Sequence, residues 1–171
     1  MKASEGASSL AASTNKKVLV SRFDREPIRG FANPRSWLQP EGLELLSLAG
    51  ELVLLPYPDV KLVSFVRDFE QGEPRPELRT FSTRPKMDGL WVRLTFRDGD
   101  CMDGILSNNL LQVETQGFSI VPPDPDYRNQ RVFVPRSALQ EMQVLGVVGS
   151  PLNVGRRKKP PPKEQIPLFD Q

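Results

Sequence analysis

The side chains that most often perform catalysis are scarce in this sequence. Its 171 residues contain no histidine and a single cysteine, Cys101. These counts exclude a Ser/His/Asp or Cys/His catalytic arrangement, a Cys/His metal site and a disulfide within the chain. Carboxylates and lysines are plentiful, but no spacing pairs them for general acid–base chemistry. We therefore expect a protein that is not an enzyme and that carries no cofactor or metal.

Two aspartates in a proline-rich stretch, Asp124 and Asp126, offer oxygen ligands to a cation. A calcium loop needs densely alternating oxygen ligands and a terminal glutamate, which this stretch lacks. Proline and aspartate are ordinary turn-forming residues. The pattern therefore predicts a turn rather than a metal site.

After Gly149 the chain becomes polar, basic and proline-rich. Such a composition cannot bury a core, so we expect this tail to be extended or disordered. The candidate nucleic-acid contacts are the cations of this tail and one arginine that precedes it. They are Arg156, Arg157, Lys158, Lys159 and Arg136.

The tail ends in an apolar cluster, and such a cluster on a solvated tether is typical of a docking peptide. The sequence Gln165-Ile166-Pro167-Leu168-Phe169 resembles the bacterial sliding-clamp-binding motif, Gln-Leu-x-Leu-Phe. The resemblance implies that Gln165 hydrogen-bonds at the polar end of the clamp pocket, while Leu168 and Phe169 fill its apolar subsite. The alternative is that Ile166, Leu168 and Phe169 fold back onto the rest of the protein.

The elements that precede this tail are short strands, and their pattern occurs twice. Residues 18–31 and 92–105 both read as an alternating strand, a polar turn and a second strand that ends at a glycine. A middle strand and a strand–turn–strand unit then follow in each copy. Four successive units in the same order predict an internal duplication. The last units align Pro56 with Pro135, Val60 with Leu139, Val63 with Met142 and Phe65 with Val144.

Five short strands in about 55 residues cover a core only by curling into a barrel. We therefore predict an all-β protein made of two tandem, small, five-stranded SH3/Sm-like barrels with disordered N- and C-terminal tails. The predicted divisions are a disordered segment at 1–15, a first barrel at 16–69, a linker at 70–88, a second barrel at 89–149 and a disordered tail at 150–171.

The order of these units resembles the Sm-like barrel, a relative of SH3-type barrels, and also a bacterial family of duplicated small barrels with no assigned activity. Sm-like proteins of the RNA-chaperone type bind uridine-rich RNA through a Lys-His-Ala segment before the last strand. The matching positions are Arg136, Ser137 and Ala138. The resemblance implies RNA or single-stranded nucleic-acid binding as an alternative function. A weaker alternative is the PilZ type of cyclic-dinucleotide-binding barrel, whose Arg-x-x-x-Arg spacing fits Arg25 and Arg29.

Charge and hydropathy favour a protein partner over a polyanion or a membrane. The formal net charge is +2, and residues 88–149 carry 8 Asp/Glu against 5 Lys/Arg. We expect a cytoplasmic protein without membrane association, because the first residues lack an apolar signal core and no apolar run spans a bilayer. The oligomeric state stays open. We predict a non-enzymatic binding or adaptor protein that uses its barrels and its terminal peptide to engage protein partners, with the DNA sliding clamp as the candidate partner of the peptide.

Overall fold

The computed structural model describes residues 14–72, 75–127 and 130–149. These residues form ten β-strands and six short 3₁₀ turns and contain no α-helix, which confirms the prediction of an all-β protein. The strands are β1 (Lys16–Arg22), β2 (Arg25–Ala32), β3 (Gly42–Ser47), β4 (Leu52–Pro56), β5 (Val60–Phe65), β6 (Gly89–Phe96), β7 (Cys101–Leu106), β8 (Gly117–Val121), β9 (Val132–Pro135) and β10 (Leu139–Val148).

All ten strands belong to one antiparallel sheet with the order β10-β6-β7-β8-β9-β5-β1-β2-β3-β4. The first five strands lie in the order β5-β1-β2-β3-β4, and the last five lie in the order β10-β6-β7-β8-β9. The two halves of the sheet therefore share one strand order. They meet where β5 pairs with β9, so a single sheet runs through both halves.

The residue registers of the two halves also correspond. In the first hairpins, Val18 pairs with Gly30 and Val92 pairs with Gly104. A side chain on Gly104 would meet Ile120 of the neighbouring strand at 2.5 Å, so glycine permits the close approach of β8. The remaining ladders repeat the same correspondence: Gly42↔Pro56 and Gly117↔Pro135; Leu43↔Leu55 and Phe118↔Val134; Val20↔Val63 and Leu94↔Met142.

Each half buries its own apolar cluster, built mainly from the alternate, inward-facing residues of its strands. The first cluster includes Val18, Leu43 and Val63, and the second includes Val92, Leu94 and Phe96. The clusters exchange one residue each across the junction, because Leu62 of β5 packs in the second cluster and Phe133 of β9 packs in the first. The two cores therefore depend on each other.

The segment between the halves is attached to the second half by two buried aspartates. Asp124 accepts hydrogen bonds from the backbone and side chain of Arg75 at 3.1–3.3 Å. Asp103 accepts from the Arg93 guanidinium at 2.7 and 3.1 Å and from the indole of Trp91 at 3.2 Å. The Asp103 N–H in turn donates to the carbonyl of Arg79 at 2.7 Å. These contacts satisfy two carboxylates whose burial without partners would be costly.

Of the predicted disordered ends, residues 1–13 and 150–171 lie outside the described residues. Within the described ranges, no helix combines the length and the apolar character needed to cross a membrane.

Candidate functional site

Among the residues predicted to bind a partner, Arg136 is described, and it begins the 3₁₀ turn Arg136–Ala138 between β9 and β10. Its side chain is exposed, but the rest of the turn faces the other half of the protein. The Ser137 hydroxyl donates to the carbonyl of Tyr57 at 3.1 Å, and Ala138 is fully buried. Of the three positions matched to the RNA-binding segment, Ser137 thus contributes to the junction and Ala138 to the core of the second half.

The other predicted site residues lie outside the described residues. They are the basic residues Arg156, Arg157, Lys158 and Lys159 and the docking-peptide residues Gln165, Ile166, Leu168 and Phe169. The roles proposed for them therefore remain predictions.

The arginines that fit the PilZ spacing lie on one face of β2, because alternate residues of a strand share a face. Arg25 forms an ion pair with Asp59 at 3.9 Å, and Arg29 is exposed. A cleft of about 330 Å³ beside Arg25 also receives Lys61 and Arg79. Both of these cations pair with Asp100, at 2.5 and 2.9 Å. Arg22 also lines the cleft, and its guanidinium donates to the backbone carbonyl of Glu26 at 2.7 and 3.0 Å.

A groove of about 760 Å³ lies at the junction of the two halves. Three aromatic residues line its deep side: Trp37 from the loop after β2, Phe65 from the end of β5 and Phe133 from β9. The Trp37 ring meets Phe65 and Phe133 edge-on, with centroid distances of 5.3 and 5.0 Å. This T-shaped cluster gives the groove a rigid apolar base.

The groove exists because the ladders around it are short. Only two residue pairs join β5 to β9, Val63↔Phe133 and Ser64↔Val132. One further backbone hydrogen bond, from the N–H of Phe65 to the carbonyl of Arg131 at 3.1 Å, ends this contact. The β7–β8 ladder likewise has two pairs. Strands that separate after so few pairs leave a gap between their ends, and this gap is the groove.

The walls of the groove are polar and carry a surplus of positive charge. Four cations and two carboxylates line it, which gives a local formal charge of +2. Three of the cations, Lys16, Arg67 and Arg131, are exposed, while Lys17 pairs with Asp68 at 3.5 Å. Hydroxyl and amide groups complete the walls: Ser107, Asn109, Gln112, Ser119 and Gln130. These walls can donate hydrogen bonds to a negatively charged ligand and can accept hydrogen bonds from it.

Residues that could bind a metal ion do not cluster in this groove. In the ranges that the structure describes, no group of three or more His, Cys, Asp or Glu residues is placed to hold a metal ion. Cys101 is exposed at the start of β7 and does not line the groove.

Sequence reasoning missed the groove because its residues are distant in sequence and come from both halves. Lys17, Arg67 and Arg131 form no motif, since each lies beside the end of a different strand. The one available signal was position: a cation lies within two residues of the outer ends of β1, β5 and β9. That pattern places charge at a sheet end without showing which ends meet.

Residues 14–146 match the family described as "Family of unknown function (DUF6982)". The chain belongs to this family. The match contains nine strands and most of β10, and it includes every residue that lines the groove. No curated protein and no solved structure matches the chain. The part of the chain shared with the DUF6982 family therefore contains the groove but not residues 165–169.

Proposed function

We propose that this DUF6982 protein is a non-enzymatic adaptor that holds an extended, acidic segment of a protein partner in the groove between its halves. The groove carries the proposal, because it joins an apolar aromatic base to hydrogen-bonding walls with surplus positive charge. A volume of about 760 Å³ lies within the range of specific ligand sites, about 300–1,000 Å³. Recognition of such a segment would rest on its backbone amides and carboxylates.

The aromatic residues favour a polypeptide over a single-stranded nucleic acid. Nucleic acids bind to such surfaces by stacking bases on accessible ring faces. Trp37 is 7% exposed and Phe133 is 1% exposed, and in the described part of the chain every aromatic residue is buried or half-buried. The groove therefore offers apolar depth and polar rims but no stacking platform.

The shared strand order and registers support a further part of the proposal, that the halves are two copies of one small barrel of the Sm or SH3 type. Each half closes its fifth strand against its first, through a short 3₁₀ turn after a proline. The turns Tyr57–Asp59 and Arg136–Ala138 both follow such a proline, Pro56 or Pro135. A tandem pair would thereby create a binding groove that a single unit lacks.

Binding to the groove can be tested with labelled peptides of about ten residues that differ in charge, using fluorescence anisotropy. Arg67→Glu and Arg131→Glu reverse charges on the groove walls, and we expect each to weaken binding of acidic peptides about tenfold. Arg29→Glu is the control, because Arg29 is exposed on β2 outside the groove.

Two outcomes would contradict this proposal. Equal losses for all three variants would show that only overall charge matters. Binding of a single-stranded oligonucleotide, with a steep salt dependence that Arg131→Glu reduces, would assign the groove to nucleic acid instead.

We also propose that the terminal peptide Gln165–Phe169 docks on the bacterial DNA sliding clamp, so that the adaptor joins the clamp to the partner held in the groove. The motif resemblance supports this step. In the full-length protein, Leu168→Ala with Phe169→Ala should abolish binding to purified clamp, whereas Asp170→Ala should not. A full-length wild-type protein that fails to bind the clamp would end this part of the proposal and leave the groove untouched.

A further inference from the structure

The sheet ends in two open edge strands, β4 and β10, which pair on one side only among the described residues. Both edges expose apolar side chains. On β4, Leu52 and Leu54 are 72% and 50% exposed, and on β10, Met142 and Val144 are 45% and 55% exposed. An edge with unpaired backbone groups and apolar side chains is a template for another strand.

The junction inside the chain shows how such edges fit each other. There, the closing strand of the first half, β5, pairs with the fourth strand of the second half, β9. Since the halves share one strand order, β10 corresponds to β5 and β4 corresponds to β9. The two open edges of the chain are therefore counterparts of the two edges that already pair within it.

We propose that β10 of one copy of this chain pairs with β4 of a second copy, in the arrangement of the internal β5–β9 junction. The residue register of the internal β5–β9 junction predicts the register between copies. Its pairs Val63↔Phe133 and Ser64↔Val132 become Met142↔Leu54 and Gln143↔Val53 between copies. The internal hydrogen bond from Phe65 to Arg131 becomes one from the Val144 N–H to the carbonyl of Leu52.

The exposure of corresponding residues supports a second copy of the chain as the partner of these edges. Phe133 is 1% exposed within the junction, whereas its counterpart Leu54 is 50% exposed. Val63 is fully buried, whereas its counterpart Met142 is 45% exposed. Apolar residues thus occupy the same positions on both edges, and pairing is what buries them in the internal case.

Two differences make the contact between copies weaker than the internal junction. Leu62, which packs in the second core, has the charged Glu141 as its counterpart on β10. Lys61, which binds Asp98 and Asp100 across the junction, has Gln140 as its counterpart. In the β1–β5 ladder Lys61 lies in a bulge and Leu62 directly beside it. Gln140 and Glu141 occupy the same places in the β6–β10 ladder. We therefore expect association that depends on concentration rather than a permanent oligomer.

The contact joins two different edges, so each copy keeps one edge of each kind after pairing. Repetition of a heterologous contact builds a closed ring or an open filament. The oligomer has a fixed mass in the first case and grows with concentration in the second.

Sedimentation velocity of the full-length protein, from about 1 to about 200 µM, tests the proposal. We expect self-association in the wild type. Met142→Lys blocks the β10 edge and Leu54→Lys blocks the β4 edge, so each variant alone should be monomeric. Mixing the two should restore a dimer, because each supplies the edge that the other lacks. Leu111→Lys replaces a leucine that is 96% exposed in a turn, and it should associate like the wild type.

The variant Glu141→Leu provides a gain-of-function test, since it restores the apolar residue of the internal junction. We expect the dissociation constant to fall about tenfold or more, from the burial of one leucine. A wild type and a Glu141→Leu variant that both remain monomeric would overturn the proposal. So would a mixture of the two lysine variants that forms no dimer, or a Met142→Lys variant that self-associates like the wild type. Circular dichroism confirms that each variant is folded.

Discussion

Leu62 and Phe133 each pack in the core of the half to which the other belongs. Leu62 lies on β5 of the first half but contacts the second cluster, and Phe133 lies on β9 of the second half but contacts the first. The strands that carry them pair directly, through Val63↔Phe133 and Ser64↔Val132. This exchange couples the two halves more strongly than the two residue pairs of the β5–β9 ladder would alone. Removal of either side chain would leave a void in the core of the opposite half.

The exchange predicts that the two halves unfold in one transition. The protein has two tryptophans, Trp37 in the first half and Trp91 in the second, so single Trp→Phe variants report on each half separately. We expect both fluorescence signals to show the same urea midpoint. Phe133→Ala should lower that midpoint for both signals, at a cost of about 3–5 kcal/mol.

Two distinct midpoints, or a Phe133→Ala effect seen by one tryptophan alone, would show that the halves fold independently. Leu111→Ala is the matched control, since that leucine is 96% exposed and should leave both midpoints unchanged.

A second link between the halves is electrostatic and gives a separate prediction. The Lys61 ammonium group lies 2.5 Å from a carboxylate oxygen of Asp98 and of Asp100, and the Lys61 side chain is only 12% exposed. Hydrogen bonds from Lys61 and Arg79 hold the pKa of Asp100 below its usual value. We expect Lys61→Met to lower the free energy of unfolding by about 1–3 kcal/mol, because two carboxylates lose their shared donor.

The measurement is urea unfolding at low and at high salt. The loss should be smaller at high salt, which screens the remaining repulsion between the two carboxylates. Lys86→Met removes an exposed cation that has no ion pair in the described residues, and it should change stability little. Equal effects of the two substitutions would mean that the contacts of Lys61 do not stabilise the junction.

The all-β class was predictable because alternation and turn residues act locally. The dipeptide Asp98-Gly99 is a typical hairpin turn sequence, and it lies between β6 and β7, where Gly99 adopts the positive φ of 90° that its turn requires. The matched glycines and prolines of the two halves also emerged from sequence comparison. These signals depend on neighbours within a few residues, which a single sequence displays.

The joining of both halves in one sheet was not predictable in the same way. Nothing in the residues of β5 or β9 shows that they pair, since Val63 and Phe133 are 70 positions apart and neither carries a specific partner signal. The groove depends on that pairing, so Trp37, Arg67 and Arg131 became a candidate site only in three dimensions. The docking role proposed for Gln165–Phe169, by contrast, is inferred from sequence alone.

The attachment of residues near Arg75 to the second half predicts a pH dependence. Burial by itself would raise the pKa of Asp124, but hydrogen bonds from Arg75 and from the backbone of Asp126 bring it below the ordinary 3.8. Because the folded-state pKa is depressed, the stabilisation is complete above about pH 5 and is lost as the pH falls through the folded value. Asp124→Asn should remove this part of the acid sensitivity.

Urea unfolding between about pH 7 and pH 3 measures the effect. We expect Asp124→Asn to be destabilised by about 1–3 kcal/mol at neutral pH, with a difference from the wild type that narrows toward low pH. Asp126→Asn is the control, because the Asp126 side chain is 65% exposed and pairs with the same arginine at 3.2 Å. A constant difference across the pH range would show that the charge of Asp124 is not the stabilising feature.

The β5–β9 junction also contains an unpaired polar atom, which predicts a stabilising substitution. Ser64 is fully buried, and its hydroxyl has no hydrogen-bond partner among the described residues. A buried hydroxyl without a partner loses its hydration and gains nothing in return. We expect Ser64→Ala to raise the free energy of unfolding by about 1 kcal/mol.

Ser47→Ala should lower the free energy of unfolding, because the Ser47 hydroxyl accepts a hydrogen bond from the N–H of Glu51 at 3.1 Å. Thermal and urea unfolding of both variants decide the matter, and a loss of stability in Ser64→Ala equal to that in Ser47→Ala would show that the hydroxyl is satisfied.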